Sequence, residues 1–244
     1  MNKLVAIFNV GKVAYGPSLK LQAALANYHR QHEDTPGTLL VVEHPPVYTT
    51  GIRTKPYSIK DEEILKQTGA EFYRTNRGGL ITFHGPGQLV VYPILNLKHF
   101  NLGLRNYVSN IEQTVIQICK DFNLKAETSA HTGVWIGDNK ICAIGVHASR
   151  YVTTHGLALN VCTDLTWFEH IVPCGIEGKG VTSLTKELKR HVNIEEVIPV
   201  FLRNFTHVFK YPCVDISDEI YKKIENYDET LLDNFSVTSR ISPG

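Results

Sequence analysis

Residues 134–136, 140–146 and 157–161 read as consecutive strands with no helix between them. A doubly wound fold would alternate strand and helix along the chain, so this sequence is expected to be α+β, a mixed β-sheet flanked by helices. The other periodic segments agree. Residues 4–10 and 38–42 are apolar strand-like runs, the second ending at Pro45-Pro46. Leu21, Ala24, Leu25 and Tyr28 recur at helical spacing after Pro17, and 61–67 reads as a short helix stopped by Gly69. Residues 71–95 are β-rich around a Gly/Pro cluster. Val108, Ile111, Val115, Ile118 and Phe122 form an apolar helical stripe ending at Asn123. Asn193 with Glu196 resembles a capping box opening the helix of Val197, Phe201, Phe205 and Val208. Without a repeat or a linker-like shift in composition, residues 1–225 read as one domain and 226–244 as a loose tail.

Charge and cysteine usage narrow the function classes. The chain has 244 residues, with 25 Lys and Arg against 24 Asp and Glu, and no long basic block, so nucleic acid is not an expected partner. No apolar run reaches the roughly 18 residues of a membrane span, and no membrane partner is expected. Cys119, Cys142, Cys162, Cys174 and Cys213 are an odd, widely spaced set that fits a reducing compartment. The N-terminus lacks a secretory core; it is poor in acidic residues before Glu33, a weak hint of a mitochondrial leader, yet 4–10 reads better as a first strand.

Four stretches carry candidate chemistry. The first is Arg77-Gly78-Gly79-Leu80-Ile81-Thr82-Phe83-His84-Gly85-Pro86-Gly87-Gln88. Its glycines let a backbone approach a ligand closely, Arg77 suits an anion, and Thr82 and His84 can hydrogen-bond; a tight hairpin would use the same glycines. The second runs from Gly137 to Gly145, with a hairpin turn expected at Asp138-Asn139 and Lys140, Cys142 and Ile144 on one face of the next strand. Lys140 at a strand start is ordinarily a solvated end; aimed into a cleft, its charge would stabilise a thiolate. The third is His155-Gly156-Leu157-Ala158-Leu159-Asn160, which by pattern is a buried strand. In the fourth, Cys174 sits between Pro173 and Gly175, outside any regular periodicity. Cys119 and Cys162 read as packing cysteines, and Cys213 follows a proline in a segment with no companion motif, which leaves Cys174 and Cys142 as thiol candidates. No CxxC or HExxH is present and Cys142/His147 and His170/Cys174 are isolated pairs, so no metal and no cofactor are expected. A Cys174/His84 hydrolase dyad stays open on residue types alone.

These four stretches, in this order, resemble the lipoyl(octanoyl) transferase family over about residues 4–210, and 160–184 is more similar to the animal mitochondrial form than to the bacterial one. The resemblance implies a fold related to the biotin and lipoate protein ligase catalytic domains and a mitochondrial location. It implies Cys174 as an acyl-thioester nucleophile and Lys140 as the lysine that lowers its pKa. It assigns substrate binding to Arg77, Gly78, Gly79, Leu80, Ile81, Thr82, Phe83 and His84, to Ala143, Ile144 and Gly145, and to Gly156, Leu157 and Ala158. The implied donor is octanoyl-acyl carrier protein. The implied acceptors are the lipoyl domains of 2-oxoacid dehydrogenase E2 subunits and the glycine cleavage H protein. An ATP-dependent lipoate ligase, a silent acyl-carrier or lipoyl-domain binding module and a cysteine thioesterase are the rival readings. Thr132-Gly133-Val134-Trp135 varies the Pro-Gly-Val-Tyr more usual in bacteria.

Overall fold

The computed structural model describes residues 4–32, 35–53, 58–171, 179–216 and 222. Cys174, with Pro173, Gly175 and Ile176, and the expected tail 226–244 lie outside the described residues.

In chain order the elements are β1 (Val5–Lys12), α1 (Tyr15–Gln31), β2 (Gly37–Glu43), β3 (Val47–Thr50), α2 (Ile59–Lys66), β4 (Glu71–Arg74), β5 (Thr82–His84), β6 (Gln88–Leu95), α3 (Leu97–Phe100) and α4 (Leu104–Asp121). There follow β7 (Val134–Ile136), β8 (Asn139–Ser149), β9 (Val152–Asn160), a 3₁₀ turn (Leu165–His170), β10 (Gly180–Val181), α5 (Leu184–Leu188), α6 (Ile194–Phe209) and β11 (Cys213–Asp215). The main sheet runs β10-β8-β9-β6-β2-β1-β11, with β7 also paired to β8. It is mixed as expected: β1 lies parallel to β2 and β11, whereas β2, β6, β9 and β8 are successively antiparallel. A second sheet, β4-β3-β5, sits apart from it.

The period-2 alternation of the strands sorts side chains between two layers. Val5, Leu39, Val91 and Leu159 face the core built with Ile111 and Val115 of α4 and Phe201 and Phe205 of α6. Phe8, Leu40, Val90 and Ala158 face the other way, onto Leu21, Ala24 and Leu25 of α1. The capping box of α2 is present, with Ser58 and Asp61 bonding reciprocally. Asn193 caps α6 by accepting the Glu196 N–H at 2.8 Å.

Local readings shift in two places. The β7–β8 turn is Gly137-Asp138, one residue earlier than expected, because Gly137 supplies the left-handed conformer (φ 56°). A register shift in the β7–β8 ladder pairs Val134 with Cys142 but Trp135 with Lys140, so Ile141 is the extra residue. That bulge sends Ile141 and Cys142 together into the α4–α6 core.

Candidate functional site

A cavity of about 1020 Å³ opens where the 77–82 loop crosses the edge of β8. Its size is at the top of the roughly 300–1,000 Å³ typical of small-molecule sites. The loop is held there by backbone contacts that only small residues permit. Gly78 donates its N–H to the Val146 carbonyl at 2.9 Å. A Cβ on Gly145 would stand 2.8 Å from the Gly78 carbonyl oxygen, and one on Gly156 would stand 2.2 Å from that of Val91. Gly145 is thus required by the close approach of the loop, and Gly156 by that of β6.

All the residues expected in the Gly-rich loop except Phe83 line this cavity: Arg77, Gly78, Gly79, Leu80, Ile81, Thr82 and His84. Ala143, Ile144 and Gly145 of β8 line it, as do Gly156, Leu157 and Ala158 of β9. Phe83 is fully buried and stacks on Trp167, with ring centroids 5.1 Å apart, in the core beside the second sheet. Leu80, Ile81, Val108, Ile144 and Leu157 give the cavity apolar wall. Tyr15, Tyr92, His84 and His155 give it a polar end.

Lys140 is part of the wall, not a solvated strand end. It is 6% exposed, and its ammonium lies 4.7 Å from the Trp135 ring centroid and donates to the Thr132 carbonyl at 3.1 Å. Gly133 makes room for it: a Cβ there would approach Lys140 Cε to 3.2 Å and the Cys142 carbonyl oxygen to 2.6 Å. Glu112 of α4 anchors that turn by accepting the Gly133 N–H at 3.0 Å. Beyond Lys140, the strand that follows residues 172–178 returns to this same edge, with Val181 paired to Lys140 and the Thr182 N–H bonded to the Lys140 carbonyl at 3.0 Å.

Cys142 is removed as a nucleophile candidate. It is fully buried in the α4–α6 core, and burial pushes its thiol far above the usual range. Burial likewise holds the Cys119 thiol up, at about 12.

Arg77 is 6% exposed, and its guanidinium donates to the carbonyls of Gly78 (3.0 Å) and Thr49 (2.6 Å) and to the Thr49 hydroxyl (2.9 Å). It ties the loop to β3. His84 bonds Gln88 Oε1 through Nδ1 at 2.8 Å and Thr49 Oγ1 through Nε2 at 3.3 Å. Burial first, then the charge environment of His44 and Arg77, lowers its pKa to about 3. His155 adopts a left-handed conformation (φ 57°), gives its backbone N–H to Gln22 Oε1 at 2.8 Å, and bonds Asn76 Oδ1 through Nε2 at 2.9 Å. A non-glycine residue in that region costs of order 1–3 kcal/mol and is characteristic of functional sites. Among the described residues no three His, Cys, Asp or Glu side chains converge to hold a metal.

Sequence reasoning missed Tyr15, Tyr92, Glu112 and His131 as cavity residues. Tyr15 and Tyr92 sit in an ordinary helix start and strand, with no local motif to mark them. His155 stood in a motif that was read as a buried strand; it is that and a cavity residue too.

Comparison with known proteins follows the same lines. Residues 14–206 match the family model for the lipoyl protein ligase A/B catalytic domain. The mitochondrial octanoyl-[acyl-carrier-protein]:protein N-octanoyltransferase of Danio rerio is 56% identical over 209 residues, covering 84% of this chain and 92% of its own. Its Homo sapiens counterpart is 46% identical, covering 88% and 96%. An octanoyltransferase of Koribacter versatilis is 45% identical, covering 85% of each. Among solved structures, a lipoate-protein ligase A bound with ATP superposes with a TM-score of 0.73 at 16% identity, over 93% of this chain and 94% of that one, a likeness of fold.

Proposed function

Since the chain belongs to the lipoyl protein ligase A/B catalytic-domain family, we propose that it moves an octanoyl group from octanoyl-acyl carrier protein to a lysine of lipoyl proteins through a thioester on Cys174. It is an acyltransferase of the octanoyltransferase kind, and its location is the mitochondrion, as it is for the animal and plant relatives. The specific acceptors in this reading are the lipoyl domains of 2-oxoacid dehydrogenase E2 subunits and the glycine cleavage H protein.

One observation carries the reading. Three motifs far apart in sequence wall a single cavity, with a buried Lys140 ammonium in that wall, and β10, which pairs with Lys140, begins six residues after Cys174 in the sequence. A free thiol with a pKa of about 8.5 is mostly protonated at neutral pH, and a nearby ammonium enriches the thiolate. The Cys174 thiolate attacks the octanoyl carbonyl, a new C–S bond forms, and the carrier thiolate leaves. That thiolate takes a proton from Lys140, which becomes neutral. The acceptor lysine amine then attacks the acyl-enzyme, Lys140 takes its proton, and Cys174 leaves as thiolate. Thioester exchange is close to level and amide formation runs downhill, so the sequence needs no nucleotide. Gly78, a candidate donor to the tetrahedral oxyanion, already gives its N–H to Val146. The backbone around Gly79 and Gly145 is then the better source of those donors.

The test is incubation of the enzyme with octanoyl-acyl carrier protein and a lipoyl domain, without ATP. Octanoylation of the lipoyl domain is expected. A lipoyl domain that is modified only when ATP is added would reverse the choice in favour of a ligase, and release of free octanoate in the presence of acceptor would reverse it in favour of a thioesterase.

A further inference from the structure

Between Thr182, just after β10, and Arg77 of the Gly-rich loop runs an unbroken line of polar side chains. Asn160 Nδ2 donates to the Thr182 carbonyl at 2.9 Å. A carbonyl can only accept, so the amide of Asn160 is oriented, and its Oδ1 accepts from Gln88 Nε2 at 2.9 Å. Gln88 Nε2 also donates to the Phe83 carbonyl at 3.2 Å, which fixes the same orientation independently. Gln88 Oε1 must then accept from His84 Nδ1, at 2.8 Å. The proton of His84 therefore sits on Nδ1, and Nε2 carries a lone pair toward the Thr49 hydroxyl at 3.3 Å. The Thr49 hydroxyl, which also hydrogen-bonds Tyr15, is placed to donate to it, while its oxygen accepts from Arg77 Nη2 at 2.9 Å. Every member is buried, and every bond points the same way.

We propose that His84 is a positioning residue and not the proton acceptor of the reaction: as a neutral imidazole protonated on Nδ1, it passes on a one-way hydrogen-bond chain whose donors run from Arg77 to Thr182, and so fixes the Arg77–Gly79 wall of the cavity. The surroundings oppose a charge on the ring. It stacks on Tyr15 of α1 (centroids 5.9 Å apart), meets the edge of His44 after β2 (6.1 Å), and shares its burial with Arg77 and, on β9, His155. An imidazolium would point a second proton at Thr49, displacing the hydroxyl proton from its acceptor and setting a cation beside the guanidinium. The wall to which the chain leads is the wall of the acyl cavity, so the consequence for catalysis rests on the function proposed above; the tautomer does not.

Two measurements test this. In the full-length enzyme, ¹⁵N imidazole spectra assigned with His84→Gln are expected to show His84 as the Nδ1–H tautomer with no titration from about pH 8 to about pH 5. An Nε2–H tautomer, or a midpoint above about pH 6, overturns the proposal whether or not octanoyl transfer is observed. Kinetically, Gln88→Glu places a carboxylate against the Nδ1 proton and favours the imidazolium. It is expected to add a one-proton acid limb to kcat/KM, absent in the Gln88→Glu, His84→Gln double variant. A Gln amide can keep the donor and acceptor polarity of the ring without titrating, so His84→Gln is expected to exceed His84→Ala by about tenfold in kcat/KM, whereas loss of a general base would leave both variants equally impaired. Equal impairment, or an acid limb that persists in the double variant, also overturns the proposal.

Discussion

The Lys140 ammonium rests over the face of Trp135, 4.7 Å from the ring centroid, while the indole N–H of Trp135 donates to the His131 carbonyl at 3.1 Å. The ring is itself fixed, so it limits where the ammonium can go. A cation–π contact of this kind is worth about 0.5–2 kcal/mol, and Trp135→Leu is expected to slow acyl-enzyme formation by roughly threefold to thirtyfold in single-turnover mixing. Trp135→Tyr, which keeps an aromatic face, should recover most of that loss. Equal rates for the leucine and tyrosine variants would show that the ring does not hold Lys140.

Gly133 and Gly137 separate strain from site geometry. Both take positive φ, at 127° and 56°, but a Cβ on Gly133 would crowd the Cys142 carbonyl and Lys140, whereas one on Gly137 would meet nothing within 4 Å. Each Ala variant is expected to lose about 1–3 kcal/mol of stability in urea unfolding. Only Gly133→Ala should also lower kcat, through displacement of Lys140.

The β8–β9 hairpin turns on Arg150 and Tyr151, which hold φ of 50° and 67° without being glycine. Two-residue hairpin turns of this kind favour Asn-Gly. Replacing the pair by Arg150→Asn with Tyr151→Gly is expected to raise the unfolding free energy by about 0.5–1 kcal/mol, with transfer activity unchanged. A fall in the melting temperature would mean that the contact of Lys98 with the Tyr151 ring, at 5.1 Å, outweighs the strain.

Four buried histidines set the acid side of the stability profile. Burial lowers His29, His84 and His155 to about 3 and His44 to about 4. The unfolded chain takes up these protons near pH 6.5 while the folded protein does not, so the unfolded state binds more protons and stability rises with pH across that window. The contribution is complete above about pH 6.5 and is lost as pH falls toward the folded values, by up to about 1.4 kcal/mol per pH unit for each group. His29 lies outside the cavity, bonded to Thr35 and Thr38 at 2.8 and 2.9 Å. His29→Gln should make the decline of the urea midpoint between about pH 6.5 and pH 4.5 shallower by one proton's worth and leave transfer unaltered. An unchanged slope would mean that His29 titrates normally.

What could be read in advance divides along physical lines. The stripe from Val108 to Phe122 and the three runs from 134 to 161 were legible because each declares its own period. β3 was not, since it is only four residues long and has no polar alternation to declare a period, and β11 was not, since its support is a parallel pairing with β1 some two hundred residues away. Lys140 shows the limit most clearly. Its motif could be quoted, but a lysine opening a strand is ordinarily solvated, and the features that bury it, the Gly133 gap, the Trp135 face and the bulge at Ile141, arise only when β7 folds onto β8. The same fold removed Cys142 from contention, because the bulge turns it inward.

The central claim is that Cys174 carries the acyl group. Intact-mass spectrometry of the enzyme quenched in acid after mixing with octanoyl-acyl carrier protein, without acceptor or ATP, tests it directly. The account predicts one octanoyl group per chain, discharged by added lipoyl domain and absent in Cys174→Ala. An adduct that survives in Cys174→Ala, on Cys142 or elsewhere, would contradict it.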